Sequence, residues 1–396
     1  MGKDGKAVFR IIQKSIRVKE ISRIEAGFFN FSDGKSMKKK KLKILVAMSG
    51  GVDSSVAAQL LKNQGHEVAG VFLNFWKDEA DPHKSANKDC SGESLRDARK
   101  VAAKIGIPFF TLDFAAEFKK VVVDYFLAEY EAGRTPNPCV VCNKQIKIGL
   151  LLRQALSLGY DAVATGHYLK RLEQNGEVKI YRAKDNYKDQ SYFLYTFSQS
   201  EIKRLYFPLG NYTKSEVRAL AAKYGLPTAS KAESQDLCFL KGPHNNFLKR
   251  HLKLKPGPIK RQEDGQIIGE HLGLPLYTVG QRKGIEIGGT GPYYVAEKDR
   301  KNNILWVVRT WDDNLLYRRE FTIKQATWMD KKRPSLPLSC RTVIRYRHDA
   351  WPCIVTAGKT RGELKVILKK AIRAVTPGQS AVFYQGRRLL GGGVIQ

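Results

Sequence analysis

Cysteine is scarce here: six residues in a chain of 396, too few for a scaffold built on disulfides. A single Cys-x-x-Cys pair occurs, Cys139 with Cys142, and no second pair follows to complete a structural zinc module. Sparse thiols fit a reducing cytoplasmic compartment, with cysteine kept for chemistry or packing. Long apolar runs are missing too. No stretch approaches the roughly 18 residues of a membrane span, so no membrane role is expected. Acids are outnumbered, 38 against 69 Lys and Arg, which leaves a formal charge of +31. Such a surplus calls for a polyanionic partner. An anionic membrane surface would need a basic amphipathic helix, and none stands out. Nucleic acid is the favoured partner.

Hydrophobic residues still make up 42% of the chain, enough for cores in two or three domains at this length. Residues 1–36 are polar and basic but contain Asp4, Glu20, Glu25 and Asp33. A transit peptide avoids acids and a secretory signal needs an apolar centre, so neither is expected. Met37 precedes a lysine run, 38–41, and then a strand-like stretch. The expectation is that Met37 is the natural start, that 1–36 is an extension, and that the lysines are solvated.

Residues 42–48 read as a buried strand. Val56, Ala57, Leu60 and Leu61 then recur at helical spacing until Gly65. Strands are predicted again at 67–72, 109–112 and 161–165, with helices at 94–105, 115–130 and 146–158. This alternation predicts an α/β N-terminal domain with a Rossmann-like parallel sheet, whose ligand crevice lies at the carboxyl ends of its strands. After about residue 242 the long helical periods vanish. Short alternating runs at 293–296, 304–308, 343–347, 364–368 and 381–384 predict mostly antiparallel β structure. The expected division is a catalytic domain at 37–241 and two small mainly-β, barrel-like domains at 242–315 and 316–396.

Between the first strand and first helix stands Ser49-Gly50-Gly51-Val52-Asp53-Ser54-Ser55. Two glycines permit positive φ and close approach to a ligand. Successive backbone N–H groups and a helix N-terminus make a phosphate cradle, helped by the hydroxyls of Ser49, Ser54 and Ser55. The Gly-Lys-Ser/Thr ending of a Walker loop is absent. A short Ser-Gly-Gly alone could be an ordinary turn with Asp53 as its cap; the full string after a buried strand argues for a nucleotide loop.

That string resembles the PP-loop of the ATP pyrophosphatase superfamily, whose members cleave ATP to AMP and pyrophosphate and adenylate an oxygen. Further strings at 133–138, 142–144, 164–168, 188–194, 238–239, 280–284, 345–347 and 374–380 resemble the bacterial tRNA-specific 2-thiouridylases. The similarity runs from about residue 42 to the C-terminus. It implies a PP-loop ATP pyrophosphatase fold in the first domain. It also implies an activity: Mg²⁺-ATP adenylates the wobble uridine of a tRNA anticodon loop at O2, and sulfur then replaces that oxygen. ATP would be held by Ala47, Met48, Ser49, Gly50, Gly51, Val52, Asp53, Ser54, Leu73 and Gly166. Cys238 would carry a persulfide received from a sulfur carrier or cysteine desulfurase system, and Cys142 would resolve it. Cys90, Cys340 and Cys353 have no such context and are expected to pack.

The same resemblance assigns tRNA contacts to His167, Lys188, Asp189, Gln190, Arg345, Tyr346 and Gln379, and the target base to Asn137, Pro138 and Cys139. Arg345 suits phosphate or stacking and Tyr346 suits base stacking, although Arg-Tyr-Arg also suits an exposed β face. One departure stands out. The best-known members have Asp, a proposed general acid or base, where this chain has Cys139. Either water or His167 takes over proton transfer, or Cys139, Cys142 and Cys238 ligate a [4Fe–4S] cluster with one open iron site.

Overall fold

In the computed structural model the described residues are 40–78, 92–232, 237–240, 242–285, 287 and 291–396. The expectations about Met37, the 1–36 extension, the first two lysines of the run and Cys90 lie outside them.

Strand β1 (Lys43–Ala47) occupies the middle of a parallel sheet covered on both faces, which is why its centre is apolar without alternation. Leu45 points into one core with Val71 and Val163. Ile44 and Val46 point into the other with Phe72, Ala162 and Ala164. Each of the three β1 residues is fully buried, worth about 1.5–3 kcal/mol apiece. Helix α1 (Val52–Asn63) follows, then β2 (Glu67–Asn74), α2 (Gly92–Ile105) and β3 (Phe109–Asp113). A helical stretch, Ala115–Phe118, passes through the π-turn Lys119–Val123 into α3 (Asp124–Glu131). After the proline loop come α4 (Pro138–Cys142), a second π-turn (Asn143–Lys147), α5 (Gly149–Ser157) and β4 (Ala162–Ala164). A hairpin of β5 (Leu169–Gln174) and β6 (Glu177–Arg182) precedes β7 (Leu205–Tyr206) and α6 (Lys214–Lys223). The parallel sheet has the order β3-β2-β1-β4-β7. The loops after β1, β2 and β4 therefore meet at one carboxyl edge.

Helical structure does not end at residue 242. Helix α7 (His244–His251) buries only Phe247 and Leu248, too few positions to register as a period. A four-stranded sheet follows, made of β8 (Gly257–Arg261), β9 (Ile267–His271), β10 (Tyr294–Asp299) and β11 (Ile304–Val308) in the order β10-β11-β8-β9. One of its pairings, β8 with β11, is parallel rather than antiparallel. The last six strands are β12 (Tyr317–Trp328), β13 (Leu338–Val343), β14 (Trp351–Ala357), β15 (Leu364–Arg373), β16 (Ser380–Gln385) and β17 (Arg388–Ile395). They close into a barrel through the pairing of β12 with β17.

Two further expectations need correction. The barrel sheet is not confined to the C-terminal segment, because β6 pairs with β17 at Tyr181 and Arg388 and brings β5 with it. Residues 344–347 are not strand. β13 stops at Val343, and Arg347 has φ = 63°, a left-handed value outside the extended region of regular strand.

Candidate functional site

The turn between β1 and α1 is built from its own polar atoms. Ser54 Oγ accepts from the Ser49 N–H at 3.2 Å and donates to the Gly51 carbonyl at 3.2 Å. Ser55 is fully buried. Its hydroxyl donates to the Gly51 carbonyl at 2.8 Å and accepts from Thr228 Oγ1 at 3.0 Å, so it is spent on the fold and not available to a phosphate. Only one of the two glycines takes the left-handed backbone. Gly50 has φ = 74°, and a Cβ there would stand 2.1 Å from the Ser94 carbonyl oxygen. Gly51 has an ordinary φ of −98°. Gly166, after β4, lies so close that a Cβ would come 2.8 Å from the Ser54 nitrogen. Two chain segments thus press against the N-terminus of a 12-residue helix, whose uncapped N–H groups face the space in front of them.

That space is a cavity of about 660 Å³. All eight residues from Ala47 to Ser54 line it, with Leu73, Gly166, His167, Lys188, Gln190, Cys238 and Tyr346. The candidate nucleotide residues and one candidate sulfur residue therefore share one chamber. Its charge is mostly positive: Lys147, Lys188, Lys214, Lys231 and Arg347 line it, against Asp53 and Glu93. Asp53 receives Lys214 Nζ at 2.7 and 2.8 Å and the Tyr168 hydroxyl at 2.7 Å. Lys231 pairs with Asp97 at 2.6 Å. A cavity of this sign concentrates phosphate-bearing ligands.

Asn137, Pro138, Cys139, Cys142, Asp189, Arg345 and Gln379 are not among the residues lining the chamber. Several are engaged elsewhere. Gln379 Nε2 donates to the carbonyls of Thr135 at 2.9 Å and Pro136 at 3.0 Å. The Thr135 N–H donates to the Pro377 carbonyl at 2.9 Å, and the Thr135 and Thr278 hydroxyls are 3.1 Å apart. The proline loop is thereby clamped to both β segments. Asn137 bonds to the Tyr192 phenol. Asp189 accepts from the N–H groups of Ala183 and Ser191 and from the Ser191 hydroxyl at 3.0, 3.3 and 2.8 Å. Arg345 turns inward, its guanidinium 3.5 Å from the Ala374 carbonyl and the Thr376 hydroxyl. Gln190 closes a two-way pairing with the Tyr168 backbone at 2.8 and 3.0 Å.

The three thiols of interest feel one another's charge. Burial pushes the Cys139 thiol up to about 12, and a charge on Cys238 raises it further. Cys142 is raised for the same two reasons, burial first. Lys147 opposes both shifts, and its backbone N–H also donates towards the Cys142 sulfur. The π-turn explains how Lys147 reaches Cys142. Residues five apart on an α-helix lie about 140° apart around its axis, whereas an i→i+5 turn returns them to one side. No sequence pattern signals that turn, so Lys147 was not foreseen. Lys214 and Arg347 were also missed. The Thr213–Glu216 capping box that starts α6 was legible, and it could have located Lys214 at a helix start.

His167 is buried, and its Nδ1 lies 2.8 Å from the Thr165 hydroxyl. Burial first, and then the Lys147 charge, lower its pKa to about 3, so the ring is neutral near pH 7. Among the described residues no three His, Cys, Asp or Glu side chains are arranged to hold a metal ion. Cys340 and Cys353, expected only to pack, face each other across β13 and β14 with sulfurs 3.5 Å apart.

Three family models match consecutive stretches of the chain. They are described as a tRNA methyl transferase HUP domain over residues 42–242, a tRNA methyl transferase PRC-barrel domain over 245–309 and an aminomethyltransferase beta-barrel domain over 318–395. The tRNA-specific 2-thiouridylase MnmA of Photorhabdus laumondii is 46% identical over 362 residues, covering 89% of this chain and 97% of its own length. The protein of the same name from Chloroflexus aurantiacus is 46% identical over 356 residues, with 89% and 98% covered. That of Proteus mirabilis is 45% identical over 362 residues, with 89% and 97% covered.

Proposed function

Because the chain belongs to the tRNA-specific 2-thiouridylase family, and is in that sense a tRNA-uridine 2-sulfurtransferase, we propose that its chamber is where Mg²⁺-ATP, the wobble uridine and a persulfide meet. The catalytic part is 37–241, with β domains at 242–315 and 316–396, and the reaction belongs to the cytoplasm. One observation carries this reading: the PP-loop and Cys238 line the same cavity. The family descriptions speak of methyl transfer and the relatives of thiolation. A nucleotide loop facing a thiol suits the second chemistry.

ATP phosphates sit against the N-terminus of α1, where Gly50 and Gly166 let backbone amides approach, and Leu73 supplies apolar surface to the adenine. The uridine O2 attacks the α-phosphate and pyrophosphate leaves. Asn137, Pro138 and Cys139 border the target base. Lys188, Asp189, Gln190, His167, Arg345, Tyr346 and Gln379 serve the anticodon loop, by contact where they line the chamber and by holding its walls where they do not. The terminal sulfur of a Cys238 persulfide, delivered by a sulfur carrier or cysteine desulfurase system, attacks C2 and AMP leaves. Cys142 then attacks the Cys238 sulfur. A Cys142–Cys238 disulfide forms, and the electron pair of the broken S–S bond stays on the sulfur now bound to C2. An external thiol reductant restores both cysteines.

The electrostatics support that order. Burial first, and then a charge on Cys238, hold Cys142 protonated. Bonding Cys238 into the adduct removes the second of these, and Lys147 then opposes the burial alone. Cys139, held near 12, remains a thiol at neutral pH and does not take the place of a general base. Neutral His167 can accept a hydrogen bond from its cavity side. Cys139, Cys142 and Cys238 as they stand do not make a metal-holding group, so no step is routed through a [4Fe–4S] cluster. Iron analysis after anaerobic purification checks that alternative. The main test is mass spectrometry of tRNA nucleosides after incubation with ATP and a persulfide donor. 2-Thiouridine should appear, and Cys238→Ser should abolish it while ATP and tRNA still bind. Full thiolation by that variant would overturn the reading.

A further inference from the structure

At the chamber's mouth an arginine stands between two tyrosines. Arg347 places its guanidinium 4.5 Å from the Tyr187 ring centroid and 5.2 Å from that of Tyr346. It also donates to the Tyr346 phenol. Tyr346 leans on Phe193 at 4.5 Å and lines the same chamber as Cys238. The stack therefore leads from the chamber outward to Tyr187, a residue 65% exposed.

Neither outer member is placed as an ordinary surface residue would be. Arg347 holds a left-handed backbone at φ = 63°, an unfavourable conformation for a non-glycine residue and one that persists only where the surroundings impose it. Tyr187 sits on a pinned turn. Asp185 accepts from the N–H groups of Tyr187 and Lys188, both at 3.1 Å, and from the Lys214 N–H at 3.0 Å. Asn186 accepts from Arg387 at 2.9 Å. An exposed aromatic ring on a rigid turn, with a cation held over it, is preorganised for a flat partner. Unstacked nucleobases bind such rings, and an adjacent guanidinium takes the phosphate.

We propose that Tyr187 and Arg347 form a second RNA subsite, which stacks the base of a nucleotide flanking the target and binds its phosphate. Pulling one base into the chamber breaks its stacking with its neighbours. A platform at the mouth replaces one of those contacts and fixes the direction in which the strand crosses the opening. The inference rests on the tRNA reading above and assigns a contact made by neither Arg345, which is turned inward, nor Tyr346, which faces the chamber.

The experiment measures Kd for full-length tRNA at several salt concentrations, with 2-aminopurine placed in turn at each loop position flanking the target. Tyr187→Ala should weaken binding about tenfold with an unchanged salt slope, because stacking carries no counterion release. Tyr187→Phe should stay within about twofold. Arg347→Ala should weaken binding and lower the slope of log Kd against log salt by about one. The wild type should alter the 2-aminopurine fluorescence at one flanking position, and Tyr187→Ala should reverse it. If the wild type binds tRNA but both alanine variants match it in Kd and fluorescence, the subsite does not exist. If the variants fail only in turnover with a protein sulfur donor, the surface serves that donor and the inference is wrong. Failure of the wild type to bind tRNA would sink the parent reading as well.

Discussion

Lys214 and Asp53 are joined across the nucleotide loop, the ammonium 2.7 and 2.8 Å from the two carboxylate oxygens. The pair is partly enclosed, with side chains 12% and 33% exposed. Asp53 lies in the first turn of α1, where a carboxylate is welcome while no other anion is present. Triphosphate arriving at the same helix end competes for that position. Lys214 keeps the carboxylate compensated, so the pair is neutral towards the phosphates. Lys214→Met should leave Asp53 opposing the phosphates and lower kcat/KM for ATP by about a hundredfold, comparable with loss of one preorganised donor. Steady-state pyrophosphate release with varied ATP reads this directly, and an unchanged KM and kcat would exclude the role.

His167 gives a pH prediction of definite sign. Its folded pKa, near 3, lies below the ordinary 6.5. As pH falls below 6.5 the unfolded chain takes up a proton that the folded chain refuses. This residue's contribution to stability is therefore complete above pH 6.5 and declines towards pH 3, by at most about 1.4 kcal/mol per pH unit. His167→Asn should remove that share of the acid sensitivity. Urea unfolding of both proteins at pH 7.5 and 5.5 measures it, and parallel losses would refute the burial argument. An acid limb in the activity profile between pH 5 and 8 should persist in the variant, since the ring does not titrate there.

Much of the catalytic half was legible because its signals are local. A strand buried on both faces must be apolar throughout, and Ile44, Leu45 and Val46 are. A turn that feeds a helix and meets another backbone needs glycine, and Gly50 does. The π-turn at 143–147, the β5–β6 hairpin's docking on β17 and the left-handed Arg347 were not legible. Each depends on partners distant in sequence or on a backbone state with no residue signature. The same limit explains Arg345 and Gln379. A polar side chain near a site looks the same in sequence whether it faces a ligand or ties down a loop.

Gly50 and Gly65 make a controlled pair. Both have positive φ, 74° and 85°. At Gly65 a Cβ would meet nothing within 4 Å, whereas at Gly50 it would strike the Ser94 carbonyl at 2.1 Å. Gly65→Ala should cost about 1–2 kcal/mol of stability from the backbone alone and leave ATP affinity unchanged. Gly50→Ala has to displace either the loop or the start of α2, and should weaken ATP binding more than tenfold. Calorimetric titration of ATP into both variants separates them, and equal affinities would show that the loop's shape does not govern binding.

Gln379 separates a loop clamp from a direct substrate contact. Its amide nitrogen gives both hydrogens to the proline loop, at Thr135 and Pro136, and that loop leads into α4 with Cys139 and Cys142. Replacement by Ala removes two hydrogen bonds worth about 1 kcal/mol each. The loop loses its tie to the barrel, and Cys142 loses its fixed position relative to Cys238. The expected result is a lower melting temperature and a several-fold drop in kcat for thiolation, with KM for tRNA and for ATP within about twofold of wild type. Glu in the same place sets a carboxylate against two carbonyl oxygens and should be worse than Ala, although it keeps the size of the side chain. A direct tRNA contact would behave differently: KM would rise, kcat would hold and stability would not change. Kinetics of the two variants, with a thermal melt of each, decide between a side chain that touches RNA and one that holds the wall beside it.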